Sequence, residues 1–434
     1  MTARCGRIFL AALSLNLTCA TLGRGALTVQ WGHQLVTPTK DAIFGSMVAD
    51  SNDAIYMAIS REPLEGAEAA PKAYHLLKFD QQGKALWDRR LGKNDAGGPL
   101  HMAVSGLATD DRENIYAFGY THASLGRENI GKNDMFVAKY DQDGIRQWVR
   151  QIGTPEHDVC AGLDIDASGN LYIAGYSYGA FAKPNKGGAD MVIAAYSQAG
   201  TLLWRDQFGT EVDERAMSLR LGEGNDIYLC GITSGALAGQ NQGHEDFVVA
   251  RYSRTGESLW LRQYGTDGDD RAVCMEIGEQ GQVYVGGRTL GGLQSRRSHR
   301  GYGDAFLARI AETGDVLWTR QFGSRGWDKT FHLARFQDGS GDVLAGGCQY
   351  PDGRFCQAFS HRYSSKGKLI WTKTFGKRRP KAGTCGRAVA IDRDNHCYLA
   401  GGTSADNWAV SNGTNNVFIV RFDETSNSTP QPNP

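Results

Sequence analysis

The sequence predicts an all-β fold, a seven-bladed β-propeller with four antiparallel strands per blade, closed by its own N-terminal strand. Three observations carry this: a tryptophan register that recurs at a nearly constant interval, four short strand-like runs in each interval, and complementary surplus and deficit strands at the two termini. Trp31, Trp87, Trp148, Trp204, Trp260, Trp318 and Trp371 are separated by 56, 61, 56, 56, 58 and 53 residues. A fixed period of this length marks a repeat architecture. In the third unit the four runs are 161–166 (AGLDID), 170–177 (NLYIAGYS), 190–197 (DMVIAAYS) and 202–208 (LLWRDQF). Each is short, rich in Val, Ile, Tyr, Phe or Trp, and bounded by Gly, Asp, Asn or Ser, which is how strands and their turns read. The separators DASGN (166–170) and DQDG (141–144) place glycine where a tight turn needs positive φ. No later segment sustains a helical period, so helix is expected to be almost absent.

The termini close the count. With the runs ordered from the axis outward, residues 27–35 (LTVQWGHQL) are a lone outermost-type strand, and 417–423 (VFIVRFD) are a third-type strand with no partner after it. Pairing 28–35 beside 416–423 completes the seventh blade. The expected organisation is a signal segment over 1–20 with cleavage between 20 and 26, one propeller over 27–423, and a disordered tail over 424–434. Arg4 and Arg7 precede an apolar stretch over 8–17, too short for a bilayer span of about 20 residues. The residues before Cys19 match a lipoprotein signal poorly, which argues against a lipid anchor. A soluble monomer, secreted or periplasmic, is the expectation.

Three spaced motifs recur in fixed order through this repeat. They stand as 131–144 (GKNDMFVAKYDQDG), 148–154 (WVRQIGT) and 166–175 (DASGNLYIAG). The sequence resembles the bacterial β-propeller repeat family known as SBBP over about 27–423. The resemblance implies a propeller and an exported bacterial protein, and brings no catalytic residues with it. Blade six departs most: Ile310 and Phe336 stand near it where Tyr or Val is expected, and the loop between its second and third strands is short.

Composition excludes several functions. Lys plus Arg and Asp plus Glu are both 47, so formal net charge is zero, and a dedicated nucleic-acid binder is not expected. No zinc-ligand spacing, phosphate loop or nucleophile elbow is present, so no cofactor and no metal are expected. Asp134, Asp190, Asp246 and Asp304, with Asp158, Glu214, Asp270 and Asp328, recur once per blade, so they read as structural loop caps. Leu125, Phe181, Leu237, Leu293 and Trp408 recur within the long loops and read as plugs against the blades.

Features that break the repeat are more informative. Arg296, Arg297 and Arg300 lie in a loop of blade five; Lys377, Arg378, Arg379 and Lys381 lie in the loop before blade seven. Both loops belong to the face carrying the long connections, with Trp327 and Trp408. Together they suggest an anion-binding rim. Seven cysteines remain after the signal segment, an odd number, and Cys348 with Cys356 is the expected disulfide across adjacent strands of blade six. The function expected is a non-catalytic propeller that binds a protein or glycan partner through its loop-rich face. An enzyme acting on a polysaccharide or phosphate ester at the central funnel is the first alternative, and a purely structural surface module the second.

Overall fold

The computed structural model describes residues 27–35, 43–61, 73–91, 102–126, 128–295, 298–351, 353, 355–376, 383–405 and 416–424. These form seven four-stranded antiparallel sheets arranged as blades, and a 3-10 turn at Glu223–Asn225 is the one helical element among them. In blade three the strands run from the axis outward as Asp158–Ile165, Leu171–Ser177, Asp190–Tyr196 and Leu202–Phe208. Each innermost strand packs against those of the two adjacent blades, and Ile43–Ala49 of blade one meets Thr384–Ile391 of blade seven to complete the circle. No helix among the described residues is long and apolar enough to cross a membrane.

Burial follows strand position. The third strand of each blade lies between two neighbouring blades, so a nearly unbroken apolar run suits it: Asp190 through Ala195 are all buried. The outermost strand has one face in water, and there Leu202 and Leu203 are exposed while Trp204 is half-buried.

The repeated tryptophan is a latch between blades. Trp87 Nε1 donates to the Gln142 carbonyl of the next blade (3.1 Å), Trp204 to that of Arg254 (2.9 Å), Trp260 to that of Glu312 (2.9 Å) and Trp318 to that of Ser365 (3.0 Å). The receiving turn needs glycine twice over. Gly256 has φ +89°, and a Cβ there would come within 2.7 Å of the Trp204 ring.

The N-terminal strand Leu27–Leu35 pairs antiparallel with Asn416–Glu424, as the terminal count predicts, and thereby becomes the outermost strand of blade seven. Its Trp31 repeats the latch one blade onward, donating to the Gln81 carbonyl of blade one at 2.8 Å. Leu35 and Trp31 join the core shared by blades one and seven, with Met57, Phe79 and Tyr398.

The recurrent carboxylates are loop fasteners. The glutamine of each WxRQ-like run donates through Nε2 to the carboxylate that opens the third strand: Gln151 to Asp134, Gln207 to Asp190, Gln263 to Asp246 and Gln321 to Asp304, at 2.7–3.0 Å. The same glutamines accept from the long loops, for instance from Leu125 N (3.0 Å) and Ala182 N (2.9 Å). Leu125 and Phe181 are buried and Leu237 and Leu293 half-buried against the blades, which is the plug role. The second carboxylate set caps the turn before the innermost strand: Asp158 accepts from Thr154, Glu214 from Thr210, Asp270 from Thr266 and Asp328 from Ser324.

One expectation is corrected. Cys348 is bonded to Cys385, with Cα atoms 5.1 Å apart, and not to Cys356. In blade six Cys348 lies opposite Ala358, and Cys356 precedes the third strand outside the ladder. Packing of blade seven's innermost strand on blade six brings Cys385 against Cys348, so the disulfide joins two blades.

Two outcomes follow. Deleting residues 27–35 removes the outer strand and the Trp31 latch of blade seven, exposing the edge of Asn416–Glu424; a lowered unfolding temperature with aggregation is expected, and unchanged unfolding would contradict closure. Asp270 is fully buried near the Asp246 carboxylate, and burial, opposed by hydrogen bonds from Thr289 and Thr266, raises its pKa to about 6. A carboxyl whose pKa is higher in the folded than in the unfolded state stabilises the fold at low pH and loses that contribution as pH rises through the folded value. Asp270→Asn, a permanently neutral substitute able to donate to Asp246, should gain on the order of 1 kcal/mol at pH 7.5. In urea titrations that advantage should shrink below about pH 6 and vanish near pH 4; a pH-independent difference would refute the assignment.

Candidate functional site at the mouth of the central channel

Each innermost strand carries a β-bulge at the same place, so one extra residue per blade is turned toward the axis. From blade one to blade seven these residues are Gly45, Ser105, Ala161, Met217, Val273, Phe331 and Arg387. They line a cavity of about 690 Å³ at the end of the channel where the long loops emerge. A second cavity of about 510 Å³ continues toward the other end, and Leu107, Arg220 and His332 border both. The seven-fold backbone therefore surrounds a channel whose wall is small on blades one to three and bulky on blades four to seven.

The deep end breaks the repeat electrostatically. Three equivalent positions, 56 residues apart, hold Asp164, Arg220 and Glu276, where other blades place Val48, Ala108, Ala334 and Ala390. Asp164 accepts from Leu221 N (2.9 Å), and Arg220 Nε lies 3.7 Å from Glu276 Oε2. Enclosure in the channel wall raises the pKa of both carboxyls, and Arg220 between them opposes that shift. His332 is lowered to about 4 by burial and by Arg220, so it is neutral at pH 7. With both carboxyls ionised the triad keeps one net negative charge, and its contacts tie three blades together.

The open end is different. Arg215 meets Asp213 at 2.7 Å and the Tyr178 hydroxyl at 3.0 Å, and Arg271 is paired with Glu245. Arg288, Lys329 and Arg387, on blades five, six and seven, have no carboxylate within ion-pair distance among the described residues. Burial, then Arg288 and Arg387, lowers the Lys329 pKa to about 8, the behaviour of a cation set among cations. Aromatic rings interleave with them. The Arg288 guanidinium stands 4.6 Å over the Trp327 ring, while Lys329 and Arg387 flank Phe331 at 4.7 and 4.2 Å. Trp327 stacks with Tyr302 at 6.4 Å, and both rings are exposed, 44% and 70%. On the other side of the rim an edge-on ladder runs through Tyr120, His122, His157, Tyr178 and Tyr176.

Of the site residues expected from sequence, Trp327 is exposed beside this wall, and the exposed Arg300 shares its loop-rich face, donating its backbone N–H to Asp304. Arg296, Arg297, Lys377, Arg378, Arg379, Lys381 and Trp408 lie outside the described residues. Arg288, Phe331, Arg387, Asp164, Arg220 and Glu276 were not singled out from sequence, and Lys329 reads there only as a local ion-pair partner of Asp328, a pair that does not form. The signal for Asp164, Arg220 and Glu276 was present: opposite charges at an exact repeat interval, in a strand register otherwise apolar.

Replacing Arg220 by Met leaves Asp164 and Glu276 facing each other without a counter-charge. A loss of about 1–3 kcal/mol at pH 7 is expected, at the lower end of buried-pair values because the channel admits solvent. Because both carboxyl pKa values are raised, the loss should recede as the pH is lowered and the carboxyls take up protons; equal losses at neutral and acid pH would show that Arg220 acts through packing.

Residues 147–182 match the family model described as Beta-propeller repeat (SBBP). Regulatory protein FlaEY of Caulobacter vibrioides is 29% identical over 340 residues, covering 67% of this chain and 34% of that protein. An uncharacterised WD repeat-containing protein of Acanthamoeba polyphaga mimivirus is 25% identical over 154 residues, 30% of this chain and 11% of that protein. The chain thus spans about a third or less of the length of these relatives. Among solved structures, a virginiamycin B lyase from Staphylococcus aureus aligns with TM-score 0.47 and 9% identity over 89% of this chain and 98% of that one. An ulvan lyase aligns with TM-score 0.46 and 12% identity over 85% of this chain and 93% of that one. With its motif order and four-stranded blades, the stretch 147–182 of this chain is an SBBP beta-propeller repeat.

Proposed function

We propose that this propeller is an exported, non-catalytic binding protein that takes an acidic saccharide at the channel mouth formed by blades five to seven. One observation carries the reading: Arg288, Lys329 and Arg387 converge without carboxylate partners among the described residues, beside the exposed Trp327 and Tyr302 rings. Unneutralised cations at a concave site concentrate anions locally even when net charge is zero. Exposed aromatic faces favour a ring-shaped ligand over a small inorganic anion, because they offer apolar contact area beside polar groups. Export is the part that rests on Arg4, Arg7 and the apolar stretch after them.

The test is equilibrium binding of an oligouronate and of a neutral oligosaccharide of equal length, each at low and high salt. The account expects the oligouronate alone to bind, with affinity falling as salt screens the cations over a Debye length of about 8 Å at physiological strength. Arg288→Ala and Trp327→Ala should each weaken binding about tenfold or more, consistent with a central cation or aromatic anchor. Equal binding of the neutral sugar, or of the Arg288→Ala protein, would sink the proposal. Cleavage of the oligouronate would replace it with the enzyme alternative, and preference for an acidic peptide would replace the ligand class.

A further inference from the structure

We propose that Cys348, Cys356 and Cys385 form, in the reduced protein, a three-thiolate site for a soft monovalent cation, copper(I) in particular, at the junction of blades six and seven. The three sulfur atoms lie within 4.8 Å of one another. They come from separate elements: Cys348 from the second strand of blade six, Cys356 from the loop after it, and Cys385 from the innermost strand of blade seven. A disulfide staple between two blades needs two of these sulfurs. The Cys348–Cys385 bond accounts for them and leaves the third thiol, Cys356, at the same point, hydrogen-bonded to the Tyr350 side chain.

Two cations stand beside the three sulfurs, although burial pushes the Cys356 thiol up to about 11. Lys329 is the cross-strand neighbour of Cys348, and Arg387 lies two residues beyond Cys385 on the same strand. The Arg387 charge opposes that upward shift, and the thiolate, the form that ligates metals, is generated as copper(I) displaces the proton. Three thiolates and one monovalent cation carry a charge of minus two, which these two cations offset. Coordination number selects the ion. No fourth His, Cys, Asp or Glu joins the group among the described residues. Structural zinc takes four protein ligands, whereas thiolate sulfur is the preferred partner of copper(I). Cys356 and Cys385 border the channel cavity, which supplies an entry path.

The chemistry balances with a named reductant. A water-soluble phosphine attacks one sulfur of the Cys348–Cys385 bond, the other leaves as a thiolate, and water converts the phosphonium adduct to phosphine oxide and the second thiol. Binding of one copper(I) then releases the three thiol protons and changes no oxidation state.

The experiment is an anaerobic titration of the phosphine-reduced full chain with copper(I) in the presence of a chromophoric copper(I) chelator. The expected result is one equivalent withheld from the chelator. Cys356→Ser and Cys356→Ala should each weaken retention by at least the ~10–100-fold that loss of an outer-shell partner costs. Cys160→Ala, a buried thiol of another blade, should leave it unchanged, and thermal unfolding of each variant shows that the fold is kept. No withheld equivalent, equal retention by the Cys356 variants, or a Cys348–Cys385 bond that survives the phosphine in the native protein would overturn the proposal. Its failure is separable from that of the saccharide reading: Arg288→Ala should lose oligouronate and keep copper, and Cys356→Ala the reverse.

Discussion

The ring depends on one pairing that the covalent chain does not enforce. Strand Leu27–Leu35 must reach the far end of the sequence and add to Asn416–Glu424 before blade seven has its outer strand. Once there, it places Trp31 to grip blade one through the Gln81 carbonyl, as other outer-strand tryptophans grip the next blade. The Arg421 guanidinium reaches the same carbonyl at 2.9 Å, and Lys373 of blade six donates to the Leu27 carbonyl. Closure is therefore an interaction among blades six, seven and one, and it fixes the circumference from which every channel residue projects.

A rigid seven-fold backbone makes departures from the pattern meaningful. The Gln–Asp fasteners of blades two to five and the Trp latches recur because they hold loops and blades, and they do the same work wherever they occur. The bulge residues do not recur. They grade from Gly45 and Ser105 to Phe331 and Arg387, so the channel is asymmetric although its frame is not. Blade six concentrates the exceptions. Its Trp371 is buried against Phe422 at 5.9 Å, with no partner for Nε1 among the described residues, where Trp204 and Trp260 reach across to the next blade. Its loop is short, and it carries Lys329, Phe331 and two of the three clustered cysteines. The blade least faithful to the repeat stands at the centre of the channel mouth that blades five to seven form.

Much of the architecture was legible in the sequence, because strand alternation, turn glycines and the tryptophan interval are local signals. The terminal closure was legible because a surplus strand and a missing strand must match. The plug and fastener roles were legible because a residue recurring once per blade serves the blade. The channel wall was not. A residue's inward direction depends on a bulge that shifts the strand register by one, and nothing in a run such as AGLDID announces it. The partner of Cys348 was hidden for a related reason: within-blade neighbours follow from strand order, but Cys385 approaches through packing between blades. Basic residues drew attention to the outer loops, while the cations with unmet charge lie on the strands inside them.

The central claim is that function resides where blades five to seven depart from the repeat, at the channel mouth and not around the whole loop face. Hydrogen exchange followed by mass spectrometry, with and without a saturating oligouronate, tests this most directly. The account predicts slowed exchange in the strand ends and turns carrying Arg288, Trp327, Lys329 and Arg387, with the rim around Tyr120 and Tyr176 unchanged. Protection spread evenly over all seven blades, or confined to the rim of blades two and three, would contradict it.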